Sequence, residues 1–212
     1  MTEHLPSTRE YDRLAPVYDQ RWGHYLVSSL DATVGRLAVF SGEALLDVGC
    51  GTGLLLDRLK VAVPGVSLTG IDPSPGMLAR ARERLGDAVT LAQAPAEQLP
   101  FPDGAFDVVV SSSAFHYFRQ PQAAVNEMAR VLRPGGRLLL TDWCRDFLTM
   151  RLFDRWLHWR DPAHFRTWNQ QEMRGFLGTA GFQSIQTERY RLSAFWGMMS
   201  VQGQRSAQRP DR

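Results

Sequence analysis

The sequence predicts an α/β fold, with a doubly wound and mostly parallel sheet in a single domain. Short, almost wholly apolar runs alternate with segments of helical periodicity over residues 41–142, which is typical of a parallel sheet covered on both faces. A glycine-rich turn separates the first apolar run from the helix that follows it. The chain has 212 residues, which is long enough for one domain with a sizeable core.

The chain begins with residues 1–40, which we expect to form a helical cap. Residues 10–22 are typical of a short helix and turn, and apolar side chains at helical spacing predict a helix over 25–40. The core, 41–142, follows, and its pattern predicts strand 44–48, helix 54–63, strand 66–71, helix 77–85, strand 89–92, strand 106–110, helix 122–132 and strand 137–141. The run Arg133-Pro-Gly-Gly136 ends the last helix, because proline and glycine interrupt helical structure.

The alternation stops after the fifth strand. Residues 143–180 predict a helical insert, with helices over 148–159 and 170–179. The final segment, 181–203, contains two strand-like runs, 182–191 and 195–202, which bring the predicted sheet to seven strands. The polar tail 204–212 is expected to fray. The insert is rich in tryptophan, and its first helix either packs its apolar face on the domain or forms a lid that lines an apolar or aromatic acceptor pocket.

Composition and charge argue against several classes of protein. No apolar run approaches the roughly 20 residues that span a bilayer, and we see no secretory signal at the start. Two cysteines, Cys50 and Cys144, make neither a disulfide framework nor a zinc site, so we expect a cytoplasmic protein without a metal. The net charge is +2 and no dense basic run is present, which argues against a nucleic-acid partner.

The strongest motif is Leu45-Leu-Asp-Val-Gly-Cys-Gly-Thr-Gly53, in which a buried strand ends in glycines before a helix. Glycines allow a sharp turn and the close approach of a ligand, and the free N–H groups of a helix start attract polar groups. Gly53 stands one place too early for the dinucleotide fingerprint. Asp72 ends the second strand, close to the spacing of about 20 residues expected for a carboxylate on a ribose diol, although it could instead cap the next helix.

With its companion motifs, the sequence resembles the class I S-adenosylmethionine-dependent methyltransferases, in the branch that includes ubiquinone-biosynthesis and small-molecule enzymes. The motifs are the glycine run, Gly70-Ile-Asp-Pro-Ser74, Ala96-Glu-Gln-Leu-Pro-Phe101, Phe106-Asp-Val-Val-Val-Ser111 and Val131-Leu-Arg-Pro-Gly-Gly136. The resemblance covers residues 40–142 and implies a Rossmann-like fold in which 41–142 is the cofactor-binding core. It also implies S-adenosylmethionine as cofactor, S-adenosylhomocysteine as product and a small-molecule acceptor.

The resemblance further implies roles for individual residues. Asp47 would lie near the methionine amino group of the cofactor, and Asp72 would hold the ribose diol. Backbone would be presented to the methionine and ribose by Gly49, Cys50, Gly51 and Gly53. The adenine would be flanked by Pro73 and Met77 and met at its edge by Ala96 and Glu97. The sulfonium region would face Ser111 and Ser112, and the aromatic residues that close over the cofactor would be Tyr11 and Tyr18.

One position departs from the family pattern. Pro95 stands where many members have an acidic residue that accepts a hydrogen bond from the adenine amino group, which predicts a weaker affinity for the cofactor. His116 follows the fourth strand, and histidine is the residue type most often used as a general base, so it is the candidate base for an acceptor that must lose a proton. The alternative is a packed histidine with no part in the chemistry.

Three functions remain open at this point, and a fourth, nucleic-acid methylation, is disfavoured because no Asn/Asp-Pro-Pro-Tyr motif follows the fourth strand. The first is methyl transfer to a small molecule, and the second is S-adenosylmethionine binding without catalysis. The third is a nicotinamide-dependent oxidoreductase. The early third glycine counts against it, and so does the absence of a Tyr-x-x-x-Lys pair, because Lys60 is the only lysine in the chain.

Overall fold

Seven strands form one sheet in the computed structural model, which describes residues 6–160 and 164–207. They are β1 (Ala44–Val48), β2 (Ser67–Asp72), β3 (Thr90–Gln93), β4 (Phe106–Ser112), β5 (Leu132–Trp143), β6 (Phe182–Arg191) and β7 (Gly197–Arg205). Their order is β3-β2-β1-β4-β5-β7-β6, and only β7 runs antiparallel to its neighbours β5 and β6. The predicted seven-stranded, mostly parallel sheet is confirmed.

Helices cover both faces of this sheet. They are α1 (Pro6–Leu14), α2 (Tyr18–Val34), α3 (Leu54–Ala62), α4 (Pro75–Leu85), α5 (Pro121–Val131), α6 (Leu148–Arg160) and α7 (Gln170–Thr179). Successive residues of β1 point to opposite faces, so Leu45 packs in one apolar cluster with α3 and α4, and Leu46 in another with α5 and α7. None of the described helices combines the length and apolar character needed to cross a bilayer.

The sheet positions the site through its strand order. β1 pairs with β2 on one side and with β4 on the other: the chain runs outward from β1 to β2 and β3, and then returns to place β4 on the opposite side of β1. In open sheets of this kind, a crevice forms at the carboxyl ends of the strands where the order reverses. The turns after β1, β2 and β4 therefore meet around one space.

Several boundaries differ from the sequence prediction. Helix α2 begins at Tyr18 and ends before Gly35, whereas the prediction extended from 25 to 40; Val39 instead packs beside Leu30 and Leu45. β7 continues to Arg205, because Gln204 pairs with Arg137 of β5 and Arg205 pairs with Phe182 of β6. Residues 204 and 205, which were predicted to fray, thus belong to the sheet, and 208–212 lie outside the described residues.

Candidate active site

A cavity opens at the carboxyl ends of β1, β2 and β4, where the strand order reverses. It encloses about 1150 Å³ of space, including its open mouth. Its walls come from the turns after these strands, from residues 95–97 and from helices α1 and α2. This is the position at which open α/β sheets bind their ligands.

The glycine turn after β1 forms the floor of the cavity. The backbone N–H groups of Gly49 and Cys50 both donate to the carbonyl of Ile71 at 2.9 Å, which ties the turn to the end of β2. Gly49 has φ 78°, and a Cβ added there would lie 2.6 Å from the Cβ of Ala114. A glycine is therefore required where the turns after β1 and β4 approach each other.

Asp72 lies at the end of β2 and is held by backbone on both sides. Its Oδ2 accepts from the N–H of Gly51 at 2.9 Å, and its Oδ1 accepts from the N–H of Ser74 at 2.8 Å. The helix cap is Ser74, whose hydroxyl accepts from the N–H of Met77 at 3.1 Å. Asp72 is thus free of the capping role considered above, and its carboxylate joins the glycine turn to the cavity wall.

The electrostatics of the cavity favour a cationic ligand. Burial, with a contribution from the charge of Asp72, raises the pKa of Asp47 to about 8. Burial also raises the pKa of Asp72 to about 6, although its two backbone hydrogen bonds oppose this shift. No described basic side chain stabilises either ionised carboxylate. A positively charged ligand group near them would supply the missing counter-charge.

Helices α1 and α2 are pinned over the cavity by two aspartates. Asp12 accepts from the hydroxyl of Ser74 at 2.6 Å and from the N–H of Gly76 at 2.9 Å, which fixes α1 to the start of α4. Asp19 accepts from the hydroxyl of Thr52 at 2.7 Å and pairs with Arg84. These bonds hold an aromatic cover in place, in which Tyr11 meets Tyr18 at 5.8 Å and Tyr117 at 5.1 Å between ring centroids, both edge to face.

The opposite wall combines apolar side chains with a network of hydroxyl groups. Leu26, Ser29 and Leu30 of α2 line the cavity beside Ser112 and Ser113 at the end of β4. The hydroxyl of Ser113 lies 2.7 Å from that of Tyr25 and 3.2 Å from that of Ser29. The indole N–H of Trp143 donates to the Tyr25 hydroxyl at 2.8 Å. This wall is partly polar but mostly apolar, and the network fixes its side chains.

Sequence reasoning missed most of this wall. Leu26 and Leu30 carry no signal beyond helical periodicity, which any core-facing residue shares. Ser113 belongs to a run of three serines whose first two members were predicted, and its φ of 54° turns the chain sharply after β4. That turn brings Ala114 against Gly49.

The structure brings together nearly all of the predicted cofactor-binding residues. Those that line the cavity are Tyr11, Tyr18, Asp47, Gly49, Cys50, Gly51, Asp72, Pro73, Met77, Ala96, Glu97 and Ser112. Pro95, the departure from the family pattern, also lines it.

Two predicted residues lie outside the cavity lining. Gly53 faces α4, where an added Cβ would lie 2.8 Å from Leu85, so its role is close packing of helix on turn. Ser111 is buried in β4 and donates to the carbonyl of Val48 at 2.7 Å, which ties β4 to β1. Both residues were predicted to contact the ligand. Gly53 instead allows α4 to pack closely on the turn, and Ser111 instead links two strands of the sheet.

His116 does not face the cavity. Its ring is 2% exposed and stacks on Trp143 with 4.0 Å between ring centroids. Its Nδ1 lies 2.7 Å from Oδ1 of Asp142, and its backbone N–H donates to the other oxygen of that carboxylate at 2.9 Å. The prediction of a base facing the cavity is therefore corrected: the buried His116–Asp142 pair joins the turn after β4 to the end of β5.

The insert after β5 also differs from the lid interpretation. No described residue of α6 or α7 lines the cavity. On α6, Met150 and Leu157 are buried, whereas Trp156 and Trp159 point to solvent. Trp143 and Trp168 are buried below α6 and α7. The described arrangement thus has no lid formed by the insert.

Comparisons with known proteins agree with this geometry. Residues 46–140 match the model of the methyltransferase domain family. The chain is 34% identical to 27-O-demethylrifamycin SV methyltransferase of Amycolatopsis mediterranei over 68% of this chain and 61% of the relative. It is 44% identical to demethylmenaquinone methyltransferase of Thermus thermophilus over 48% of this chain and 47% of the relative. The chain therefore spans about half to three-fifths of the length of these relatives.

The fold recurs in a solved structure of low sequence identity. The crystal structure of a SAM-dependent methyltransferase from Thermotoga maritima has a TM-score of 0.77 and 21% identity, and the match covers 94% of this chain and all of that one. At this identity, the likeness shows a shared fold.

Proposed function

Because the chain belongs to the class I S-adenosylmethionine-dependent methyltransferase family, we propose that it transfers a methyl group from S-adenosylmethionine to a small-molecule acceptor. The observation that carries the proposal is the pair of buried carboxylates, Asp47 and Asp72, which lack a described counter-charge beside the glycine turn. A ligand that carries an ammonium and a sulfonium group supplies that charge. Two free, buried cysteines support a reducing cytoplasm as the setting.

The residues present fit this cofactor. Asp72 would hold the ribose hydroxyls, because its carboxylate is already oriented by the backbone of the glycine turn. Asp47 would meet the ammonium group, and Met77 with Pro73 would provide an apolar surface for the adenine. When bound, S-adenosylmethionine supplies a methyl group activated by the sulfonium, which an acceptor lone pair displaces in line.

The acceptor would lie against the wall of Leu26, Leu30, Ser112 and Ser113, which is continuous with the cofactor space. The described lining contains neither histidine nor lysine, so this chain contributes chiefly by holding the two reactants in line and excluding water. Such positioning is worth up to about 7–11 kcal/mol in well-oriented systems. An acceptor whose nucleophilic atom ionises readily suits this arrangement.

Calorimetry with S-adenosylmethionine and S-adenosylhomocysteine tests the binding part of the proposal. Asp72→Asn should weaken binding by about 10- to 100-fold, because it removes charge-assisted hydrogen bonds to the ribose. Asp87→Asn changes an exposed carboxylate away from the cavity and should leave affinity unchanged. Binding of NAD instead of the sulfonium nucleoside would favour the oxidoreductase alternative and overturn the proposal.

Turnover distinguishes an enzyme from a binding protein. S-adenosylhomocysteine formation should be measured with an acceptor panel that includes demethylmenaquinone and 27-O-demethylrifamycin SV, the compounds named for the two relatives. Methylated product from any member supports the transferase. Tight cofactor binding with no product from the panel or from a metabolite extract would favour the binding protein.

A further inference from the structure

Helix α6 exposes an apolar stripe that the cavity does not use. We call it the outer face of α6, and it consists of Leu148, Leu152, Trp156 and Trp159. These side chains are 68%, 58%, 50% and 79% exposed, respectively. Large apolar side chains clustered on a surface commonly mark a site of interaction.

The stripe points directly away from the domain. At 3.6 residues per turn, its four members fall within an arc of about 80°. The buried residues of α6 are Met150, Asp154 and Leu157, and they occupy the opposite side of the helix. The helix is therefore apolar on two faces, and only the inner face is covered by the domain.

Arginines border the outer face on both sides. Arg151 and Arg155 follow one edge, and Arg160 follows the other, where its guanidinium carbon lies 5.7 Å from the ring of Trp159. No carboxylate within 6–160 or 164–207 forms an ion pair with Arg151 or Arg155. The helix thus presents tryptophan and leucine flanked by arginines.

A second cavity adjoins the edge formed by Arg151 and Arg155. Both residues line it, and the rest of its lining consists of Arg145, Arg166, Asn169, His158 and the carboxylates of Asp146 and Asp154. Arg145 and Arg166 both donate to the carboxylate of Glu172, at 2.8 and 2.6 Å. Arg151 and Arg155 are therefore the arginines available to a ligand. Planar guanidinium groups that line one cavity favour phosphate or carboxylate as a ligand.

A metal ion is a weaker candidate for the same region. Asp154, His158 and His164 each offer a ligand atom, and these atoms lie within 4.8 Å of one another. Asp154 is already engaged, since its Oδ1 lies 2.8 Å from Nε2 of His164 and accepts from the N–H of Thr167 at 2.7 Å. Four arginines against two carboxylates line the cavity, so its lining favours an anion over a divalent cation.

Charge also decides between a membrane and a second copy of this chain. A symmetric dimer through the outer face would bring its arginine edges towards each other, which is unfavourable. An anionic phospholipid surface satisfies both features, because indole and leucine side chains enter the interfacial layer while arginines meet the phosphates.

From these observations we infer that the outer face of α6 docks on an anionic phospholipid surface. Leu148, Leu152, Trp156 and Trp159 enter the interface, and Arg151 with Arg155 binds lipid phosphate at the mouth of the second cavity. The inference does not depend on the proposed methyl transfer, since docking requires neither cofactor nor acceptor. Its consequence is that the protein works at a lipid surface, where an apolar acceptor is concentrated.

Vesicle co-sedimentation of the full chain tests the inference. The protein should sediment with vesicles of equal parts phosphatidylcholine and phosphatidylglycerol, much less with phosphatidylcholine alone, and progressively less as salt is raised. Arg151→Ser combined with Arg155→Ser should lower the partition coefficient about 30-fold. Trp156→Ser and Trp159→Ser should each lower it about tenfold.

Matched controls come from other exposed positions. Phe40→Ser removes an aromatic side chain that is also largely exposed, and Arg82→Ser removes an exposed arginine of α4; both should bind vesicles like the wild type. Thermal melts confirm that each variant is folded. Equal loss in the controls, no binding by the wild type, or a dimer that is lost in Trp156→Ser would each overturn the inference.

Discussion

A cationic ligand should expel protons from the two carboxyl groups of the cavity. With pKa values of about 8 for Asp47 and about 6 for Asp72, the first is roughly nine-tenths protonated at pH 7 and the second roughly one-tenth. An ammonium and a sulfonium group favour the ionised form of both. Binding at pH 7 should therefore release about one proton from the pair, and nearly two at pH 5.

The same values predict how affinity depends on pH. Only about a tenth of the free protein at pH 7 has Asp47 ionised, and about nine-tenths at pH 9. The contribution of this carboxylate should accordingly strengthen S-adenosylmethionine binding by up to about tenfold over that range. The amino group of the ligand also titrates, so the comparison that matters is between wild type and Asp47→Asn, in which the ligand contributes equally.

Calorimetry in two buffers of different ionisation enthalpy measures this release. The dependence of the observed heat on the buffer gives the number of protons exchanged. At pH 7 the wild type should release about one proton more than Asp47→Asn. If both proteins exchange the same number of protons, Asp47 is already ionised in the free protein and the electrostatic account of the cavity is wrong.

Three further predictions concern the same cavity. The unfolding temperature should fall as pH rises from about 5 to 8. In this range the folded protein binds more protons than the unfolded chain, because aspartates of the unfolded chain have a pKa near 3.9. The unfolding temperature of Asp47→Asn, measured by thermal melts, should depend less on pH. Gly49→Ala should abolish detectable S-adenosylmethionine binding in calorimetry, whereas Gly175→Ala, which meets nothing within 4 Å, should preserve it and stabilise α7 by about 0.5–1 kcal/mol. Pro95→Asp should tighten binding severalfold by supplying an acceptor for the adenine amino group, and an unchanged dissociation constant would contradict that role.

Local patterns were sufficient for much of the fold. Helix α7 and strand β6 begin and end at the predicted residues. A capping box at Asn169 starts the helix, and Gly181, with its positive φ, separates the helix from the strand. The glycine turn and Asp72 were recognisable because a turn between a buried strand and a helix restricts residue types over a few positions. These features depend on neighbours in the chain, so they can be read without knowing the tertiary structure.

Predictions about side-chain direction failed where a distant segment decides the environment. His116 follows β4 as predicted, but its ring and its backbone N–H both form hydrogen bonds with Asp142, at the end of β5. These bonds hold the ring in the interior of the protein. Ser111 differs from Ser112 by one step along β4, and alternation alone sends one to the sheet interior and the other to the cavity. The sequence shows which residues stand near the strand ends without showing which way they point.

The α6 stripe is a second example. Helical spacing of tryptophan and leucine over 148–159 indicates an amphipathic helix, but periodicity does not say which face the domain covers. Met150 and Leu157 occupy the covered face, so the tryptophans at 156 and 159 remain outside.

The sequence by itself determined the parallel α/β architecture, the glycine turn after β1 and the carboxylate at the end of β2, because each is encoded by short-range spacing. Only the tertiary structure decided which serine, histidine and tryptophan side chains reach the cavity, the core or the solvent. Those outcomes depend on contacts between segments far apart in the chain, such as Tyr25 with Ser113 and His116 with Asp142. The raised pKa values of Asp47 and Asp72 have the same origin, since burial is a property of the assembled fold.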